Sequence, residues 1–388
     1  MNKTEFDSFW RDREVGVTGG TGFLGYLLVK KLITLGAKVT VYSLEPRKNH
    51  PIHSLNTHQS KLIWGDIRDS DAVEKALHGK SVIFHTAGLV AVWGKAIRIM
   101  EEVHRDGTRN VLKALSPSSV LVHTSSIVAV GATRDGKILQ EQSEFTLPKN
   151  YLPYIQAKKD SEELVLSNSS ENRMVVVNPG YLIGPEDEEL SIMGRFCLRF
   201  WRGRIPIAVS GGLNYVDVRD VVDGHLAAAI LGKTRERYIL GGYNLNYVEF
   251  QKCLSSVAHY RPRAMPKIPW IMLRIFAELA EMRSLWTKKE PYPAVGHARL
   301  NRYYWYVNSE KATRELNYQP RPLQETLEEM YQWFVKKYPI HVRGLNRWWF
   351  RPSSVPPFNS QGIDSGNLGT FVNKNEQITD SLSAERVA

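Results

Sequence analysis

One stretch near the start restricts the folds open to this chain more than any other. Val15 to Thr18 reads as a short β-strand that runs straight into Thr18-Gly19-Gly20-Thr21-Gly22-Phe23-Leu24-Gly25, and a helical pattern then continues to about Leu35. A glycine turn between strand and helix aims backbone N–H groups, and the positive end of the helix dipole, at one point, which suits a pyrophosphate. Gly19 permits the tight turn, Gly22 lets a phosphate approach the backbone, and Gly25 lets helix and strand pack closely, with Phe23 and Leu24 opening the helix between them. The expected ligand is a dinucleotide.

The pattern downstream agrees. Further β-rich runs fall at Lys38–Tyr42, Lys61–Trp64, Ser81–His85, Ser119–His123 and Met174–Asn178, with helical stretches at about Lys95–Leu115 and Tyr154–Leu166. Strands alternating with helices predict an α/β fold: a Rossmann-type, doubly wound parallel sheet. We expect the cofactor-binding part over 12–185, with a return to the sheet around Asn214–Leu231 and completion within 214–240. A smaller C-terminal substrate-binding cap is expected from 186–213 and 241–340. Residues 341–388 would then form a basic, aromatic segment and a disordered tail rich in Ser, Asn, Gly and Pro.

The helical stretch Ile268–Trp286 is unusual. Arg274, Glu278 and Glu281 form one narrow polar stripe, and Ile271, Met272, Ile275, Phe276 and Leu279 occupy most of the remaining circumference. So wide an apolar arc needs covering, either by the cap or by peripheral contact with a membrane surface. Arg343, Arg347, Trp348, Trp349, Phe350 and Arg351 would suit the same interface. Net charge is +11 over 388 residues, which favours an anionic partner such as a phosphate-bearing cofactor or an anionic membrane; a nucleic acid is not expected. Two cysteines, Cys197 and Cys253, form neither a disulfide framework nor a metal motif, so no metal is expected. The N-terminal stretch Met1–Glu14 is polar and lacks the apolar core of a secretory leader, and no apolar run reaches the roughly 18 residues of a membrane span, so the cytoplasm is the expected location.

The second strand should end on a carboxylate that bonds the ribose 2′-hydroxyl if the cofactor is NAD. Ser43 occupies that position, followed by Glu45, Arg47 and Lys48. A neutral hydroxyl with nearby cations leans towards NADP over NAD. Against this, a slip of one or two residues would make Glu45 the ribose partner, and Arg47 and Lys48 could be an ordinary solvated loop. Asp66 and Ile67, after the third strand, are placed to meet the adenine edge. Ala87 and Gly88 lie after the fourth strand, where a cofactor would cross the sheet, and Pro179 closes the strand at Met174–Asn178.

Tyr154 and Lys158 stand four residues apart on one helical face, and the strand before them delivers Thr124, Ser125 and Ser126 to the sheet edge where such folds bind ligands. Moving a hydride between carbons requires a proton to move on or off the neighbouring oxygen. Tyr154 would carry that proton, Lys158 would favour the phenolate, and Ser126 would hydrogen-bond the substrate oxygen. The chain has no Gly-x-Ser-x-Gly elbow, His-Glu-x-x-His helix or Gly-Lys-Ser/Thr phosphate loop.

At these residues the chain resembles an extended short-chain dehydrogenase/reductase of the NAD-dependent epimerase/dehydratase superfamily. The likeness runs from Val15 to Tyr338. It rests on the glycine turn, Gly-Asp-Ile-Arg-Asp at 65–69, His-Thr-Ala-Gly at 85–88, the Tyr/Lys pair, Asn-Pro-Gly-Tyr-Leu-Ile-Gly-Pro at 178–185 and Val-Asp-Val-Arg-Asp at 216–220. Within that group it is similar to dihydroflavonol reductases, 3β-hydroxysteroid dehydrogenases and hopanoid-associated sugar epimerase-like proteins, the last through 237–242 and 315–320. The resemblance implies that Ser126, counted back from Gly131, is the family serine, with Ser125 as nearest substitute; it also implies a homodimer. Gly16 inside the first strand, Ser43 in place of the usual acid and the long polar tail depart from the pattern.

Three functions follow as expectations. The first is an NAD(P)-dependent oxidoreductase interconverting a ketone and a secondary alcohol on an apolar, steroid-, terpenoid- or flavonoid-like substrate, suggested by an aromatic cap containing Phe196, Phe200 and Trp201. The second is a nucleotide-sugar epimerase or dehydratase with tightly held NAD, its diphosphate clamped by Arg195, Arg199, Arg202 and Arg204. The third is a non-catalytic cofactor-binding scaffold at a membrane surface.

Overall fold

β-branched and aromatic residues crowd the short runs of the first half, while Gly, Asn and Asp separate them, and each run becomes a strand of one sheet. The computed structural model describes residues 3–205, 208–258, 260–262, 268–288, 291–340 and 350–352. In chain order the first elements are α1 (Lys3–Trp10), β1 (Glu14–Thr18), α2 (Phe23–Thr34), β2 (Lys38–Ser43), β3 (Ser60–Trp64), α3 (Ser70–Leu77), β4 (Val82–His85), α4 (Ala96–Lys113), β5 (Val120–Thr124), α5 (Pro153–Leu166) and β6 (Arg173–Pro179). There follow β7 (Tyr181–Ile183), α6 (Ile192–Trp201), β8 (Gly212–Asp217), α7 (Val218–Leu231), β9 (Glu236–Leu240), β10 (Tyr243–Asn246) and α8 (Tyr247–Val257). The last are β11 (Tyr260–Pro262), α9 (Trp270–Thr287), α10 (Val295–Leu300), β12 (Tyr304–Trp305), α11 (Glu310–Leu316), α12 (Leu323–Lys337) and β13 (Phe350–Pro352).

Seven strands form a parallel sheet in the order β3-β2-β1-β4-β5-β6-β9. Both faces are covered, as the near-continuous apolar strands require. One core joins the sheet to α2, α7 and α11, and a second joins its other face to α3, α4 and α5. The chain order reverses between β1 and β4, so the crevice at their carboxyl ends is the ligand-binding point of this topology. Gly16, the apparent flaw in β1, has a packing reason: a Cβ there would lie 2.8 Å from Leu77 Cδ2, so glycine lets α3 close on the sheet.

One expectation changes, and two features come into view only in the structure. Residues 214–231 do not rejoin the main sheet. β8 instead pairs with β7, β10 and β12 in a small separate sheet, and β9 is the seventh strand. Asn214 holds β8 there, donating to Asn244 Oδ1 at 2.8 Å and accepting from the Gly242 N–H at 2.8 Å, and the Asp217 side chain caps α7 on the Arg219 N–H. The polar start of the chain forms α1 and buries Trp10 completely, its ring 5.9 Å from that of Phe84. Finally, among the described residues α9 is covered on one side only, by way of Leu273, Ala277 and Ser284; its apolar arc faces away from them. The tail beyond residue 352, and Arg343, Arg347, Trp348 and Trp349, lie outside the described residues.

A third core gathers Ile127–Ile155, α6, α8 and α12. Phe200 and Trp201 are buried in it, where Trp201 Nε1 donates to the Leu254 carbonyl at 3.0 Å, so these two rings build the wall rather than line a cavity.

Candidate functional site

The turn after β1 meets the loop after β4. Gly19 has φ of +70°, and a Cβ on it would lie 2.6 Å from the Ala87 backbone; a Cβ on Gly25 would lie 2.3 Å from the Gly19 carbonyl oxygen. Neither backbone can yield, so both positions demand glycine. Gly22 is different, since a Cβ there would find only the Gly19 oxygen, at 3.4 Å; its side stays open for a ligand to approach. Gly22 also caps α2 without any side-chain bond, and no acidic residue occupies the first turn beside Phe23 and Leu24. The first N–H groups of α2 are therefore presented to a ligand, as a pyrophosphate needs. Thr18 locks the two loops together: its carbonyl accepts from the Thr86 hydroxyl at 2.7 Å, and its own hydroxyl accepts the Ala87 N–H at 3.3 Å. These residues fit a dinucleotide.

Ser43 ends β2, buried, with its hydroxyl 2.7 Å from that of Thr21, so it lies at the turn as expected. Arg47 does not reach towards it. Its guanidinium pairs with Glu189 at 3.0 Å and donates to the Glu188 carbonyl, while Glu45 and Lys48 stand exposed. Asp66 is held by Arg68 at 2.7 Å, and the hydrogen bonds from Arg68 keep its carboxyl below the usual range. Ile67 is buried, and its carbonyl accepts from Asn110 Nδ2 at 3.0 Å, which fixes this loop to α4.

The catalytic candidates converge beside the same crevice. Leu152 and Pro153 start α5, which turns Tyr154 and Lys158 to one side. Lys158 is buried and donates from Nζ to the Thr124 carbonyl at 2.9 Å. Burial lowers its ammonium to about 8, with Glu162 opposing. The same Nζ lies 3.6 Å from where a Gly88 Cβ would stand, so the lysine adjoins the cofactor loop. The Ser126 hydroxyl lies near enough to the Tyr154 phenol to favour its ionised form. Ser125 instead turns inward and is buried, which favours Ser126 as the serine of the set. Burial pushes the Tyr154 phenol up to about 12, and the nearby Ser126 hydroxyl opposes it. The Lys158 Nζ bond to the Thr124 carbonyl fixes the ammonium on the same side of α5 as the phenol.

Several contributors escaped the sequence reading. Thr124 acts through its carbonyl, since its hydroxyl is 2.9 Å from His225 Nε2 on the opposite face. Asn178 Nδ2, just before Pro179, donates to the Ser126 carbonyl at 3.0 Å and to Glu162 at 2.7 Å, and Arg237 reaches Glu162 at 2.9 Å. His104 of α4 sits with its ring 6.1 Å from that of Tyr154 and bonds the Leu89 carbonyl through Nε2 at 2.9 Å. Asn178 lies inside the Asn-Pro-Gly run, the one local signal among these residues. The four arginines proposed as a diphosphate clamp do not converge: Arg195 donates to the Leu190 carbonyl, Arg199 stacks on Tyr292 at 3.7 Å, Arg202 donates to the Pro339 carbonyl, and Arg204 is exposed.

A doubly wound sheet, an uncapped glycine turn at its switch point and a Ser/Tyr/Lys cluster beside it define a dinucleotide-binding oxidoreductase. Residues 16–233 match the 3-beta hydroxysteroid dehydrogenase/isomerase family, and the chain belongs to that family. It is an NAD(P)-dependent enzyme of the extended short-chain dehydrogenase/reductase type. The chain is 30% identical over 325 residues to a putative dihydroflavonol 4-reductase of Synechocystis, covering 82% of this chain and 93% of that protein. It is 29% identical over 330 residues to sterol demethylase protein B of Methylococcus capsulatus, covering 83% and 98% respectively. The crystal structure of gox2253 superposes with a TM-score of 0.70 at 28% identity, covering 84% of this chain and 99% of that one. Among the described residues no helix is long and apolar enough to cross a membrane, and no group of three or more His, Cys, Asp or Glu could hold a metal ion.

Proposed function

We propose that the chain interconverts a ketone and a secondary alcohol on a largely apolar substrate, with Tyr154, Lys158 and Ser126 as its catalytic residues. The observation that carries this reading is the convergence of Ser126, the Tyr154 phenol and a buried Lys158 that bonds the Thr124 carbonyl and adjoins Gly88. Gly19, Gly22 and Gly25, with Phe23 and Leu24, would hold the pyrophosphate. Asp66 and Ile67 would bound the adenine, and Ala87, Gly88 and Pro179 the nicotinamide side. A bound nicotinamide supplies or accepts the hydride. Ser126 and Tyr154 donate hydrogen bonds to the substrate oxygen where negative charge develops, and in reduction the Tyr154 proton passes to that oxygen. The phenolate left behind is a charge that the nearby Lys158 cation favours. In oxidation Tyr154 takes the proton back.

An apolar substrate is supported by the names of the two relatives, which concern a flavonoid and a sterol, and by an aromatic ring near the phenol. Tyr154 is close enough to Tyr181 to raise the pKa of that second phenol. The segments 186–213 and 241–340 would form the cap over this pocket. The scattered arginines weigh against the nucleotide-sugar reading, and the assembled catalytic set weighs against a non-catalytic scaffold. NADP is the favoured cofactor because Ser43 stands where an acid would repel a 2′-phosphate, with Lys48 nearby in sequence. Tyr154→Phe should lower kcat by about 10²–10⁴-fold while leaving cofactor binding unchanged. Full turnover in a variant that still binds cofactor would refute the assignment.

A further inference from the structure

An ordinary surface helix buries an apolar stripe and shows water its polar face. α9 shows solvent a second apolar face as well. Its buried side is the pair Leu273 and Ala277 with Ser284, while Ile271, Ile275, Leu279, Met282 and Trp286 recur at steps of four, four, three and four residues. At about 100° per residue those five fall within one narrow sector, directly opposite the buried side. Met282, Leu285 and Trp286 are 62%, 71% and 90% exposed. The acids of the helix are engaged within the protein: Glu278 pairs with Arg274 at 2.8 Å, and Glu281 accepts the Val295 N–H at 2.8 Å. Arg283 and Lys288 stand exposed beside the apolar sector. Between residues 259 and 305 there are nine Lys or Arg against three Glu, so this one segment supplies more than half of the chain's net charge of +11.

We propose that the outward face of α9 is a docking surface for an anionic lipid bilayer, on which the enzyme lies without crossing it. Aromatic rings mark both ends of the helix, Trp270 under Arg302 at 4.6 Å and the exposed Trp286, where an interfacial helix places its amphipathic side chains. Charge decides between a bilayer and a second copy of the chain. Two such faces brought together would oppose two basic rims, whereas acidic headgroups attract both the rim and the apolar sector. β13 pairs with β11, which ends eight residues ahead of α9 in the chain. On the other flank, α10 packs on Val92, where a Gly296 Cβ would come within 2.8 Å, and the same loop carries the exposed Leu89 and Val90 next to Gly88.

The test is co-sedimentation of the full chain with phosphatidylcholine vesicles, with and without phosphatidylglycerol. Wild type should pellet with the anionic vesicles, and binding should weaken as ionic strength rises from about 0.1 M to about 1 M, where the Debye length falls from about 10 Å to about 3 Å. Leu279→Asp/Met282→Asp should lose at least about tenfold in vesicle affinity, and so should Trp286→Ala, whose side chain is too exposed to matter for folding. Reduction of a water-soluble ketone by the same preparations should be unchanged, which separates this proposal from the assigned chemistry. Wild type left in the supernatant, variants that bind as well as wild type, or a wild-type dimer that these variants split without any vesicle binding would each overturn it.

Discussion

Replacing Lys158 with methionine should stop turnover and yet stabilise the fold. Burial lowers this ammonium from 10.5 to about 8, so keeping it charged inside the protein costs about 3 kcal/mol. Methionine removes that cost at similar volume. It also removes the 2.9 Å bond to the Thr124 carbonyl, a loss of about 1–2 kcal/mol, while Glu162 keeps Arg237 and Asn178 as partners. The net expectation near pH 7 is a gain of about 1–2 kcal/mol, with kcat down at least about 10²-fold. The pH dependence fixes the sign. The folded pKa lies below the unfolded one, so the wild-type penalty is complete below about pH 8 and fades as pH rises from there through 10.5, above which neither state is charged. Urea unfolding of both proteins across that range should show the variant's advantage disappearing. A variant less stable than wild type near pH 7, or a stability gap that does not change across the range, would refute the reasoning.

Other outcomes follow from single contacts. Gly25→Ala would put a Cβ 2.3 Å from the Gly19 carbonyl oxygen, so the turn must open and cofactor affinity, followed by fluorescence titration, should fall at least about tenfold, or about 1.4 kcal/mol; unchanged affinity would refute the close-packing role. Glu189→Gln releases Arg47 from its 3.0 Å ion pair and should raise the preference for NADP over NAD by about two- to fivefold, the scale of one exposed pair; an unaltered ratio of kcat/KM values would show that Arg47 does not serve the 2′-phosphate.

What the sequence alone determined is what depends on neighbours along the chain. A strand running into a glycine turn and a helix is a local instruction, because φ at Gly19 and the start of α2 are set within a few residues. Strand–helix alternation then leaves a parallel sheet as its solution, and a spacing of four puts Tyr154 and Lys158 on one face whatever surrounds them. Tertiary structure decided everything that needed a distant partner. β8 reads as well for the main sheet as for the small one until Asn214 meets Gly242 and Asn244. Arg47 looks like a phosphate ligand until Glu189, 142 residues away, claims it. The Thr124 carbonyl, not the neighbouring phenol, receives the Lys158 ammonium, and which half of α9 is covered depends on where α10 packs. Periodicity shows that a face is apolar, but only the assembled molecule shows whether anything lies against it.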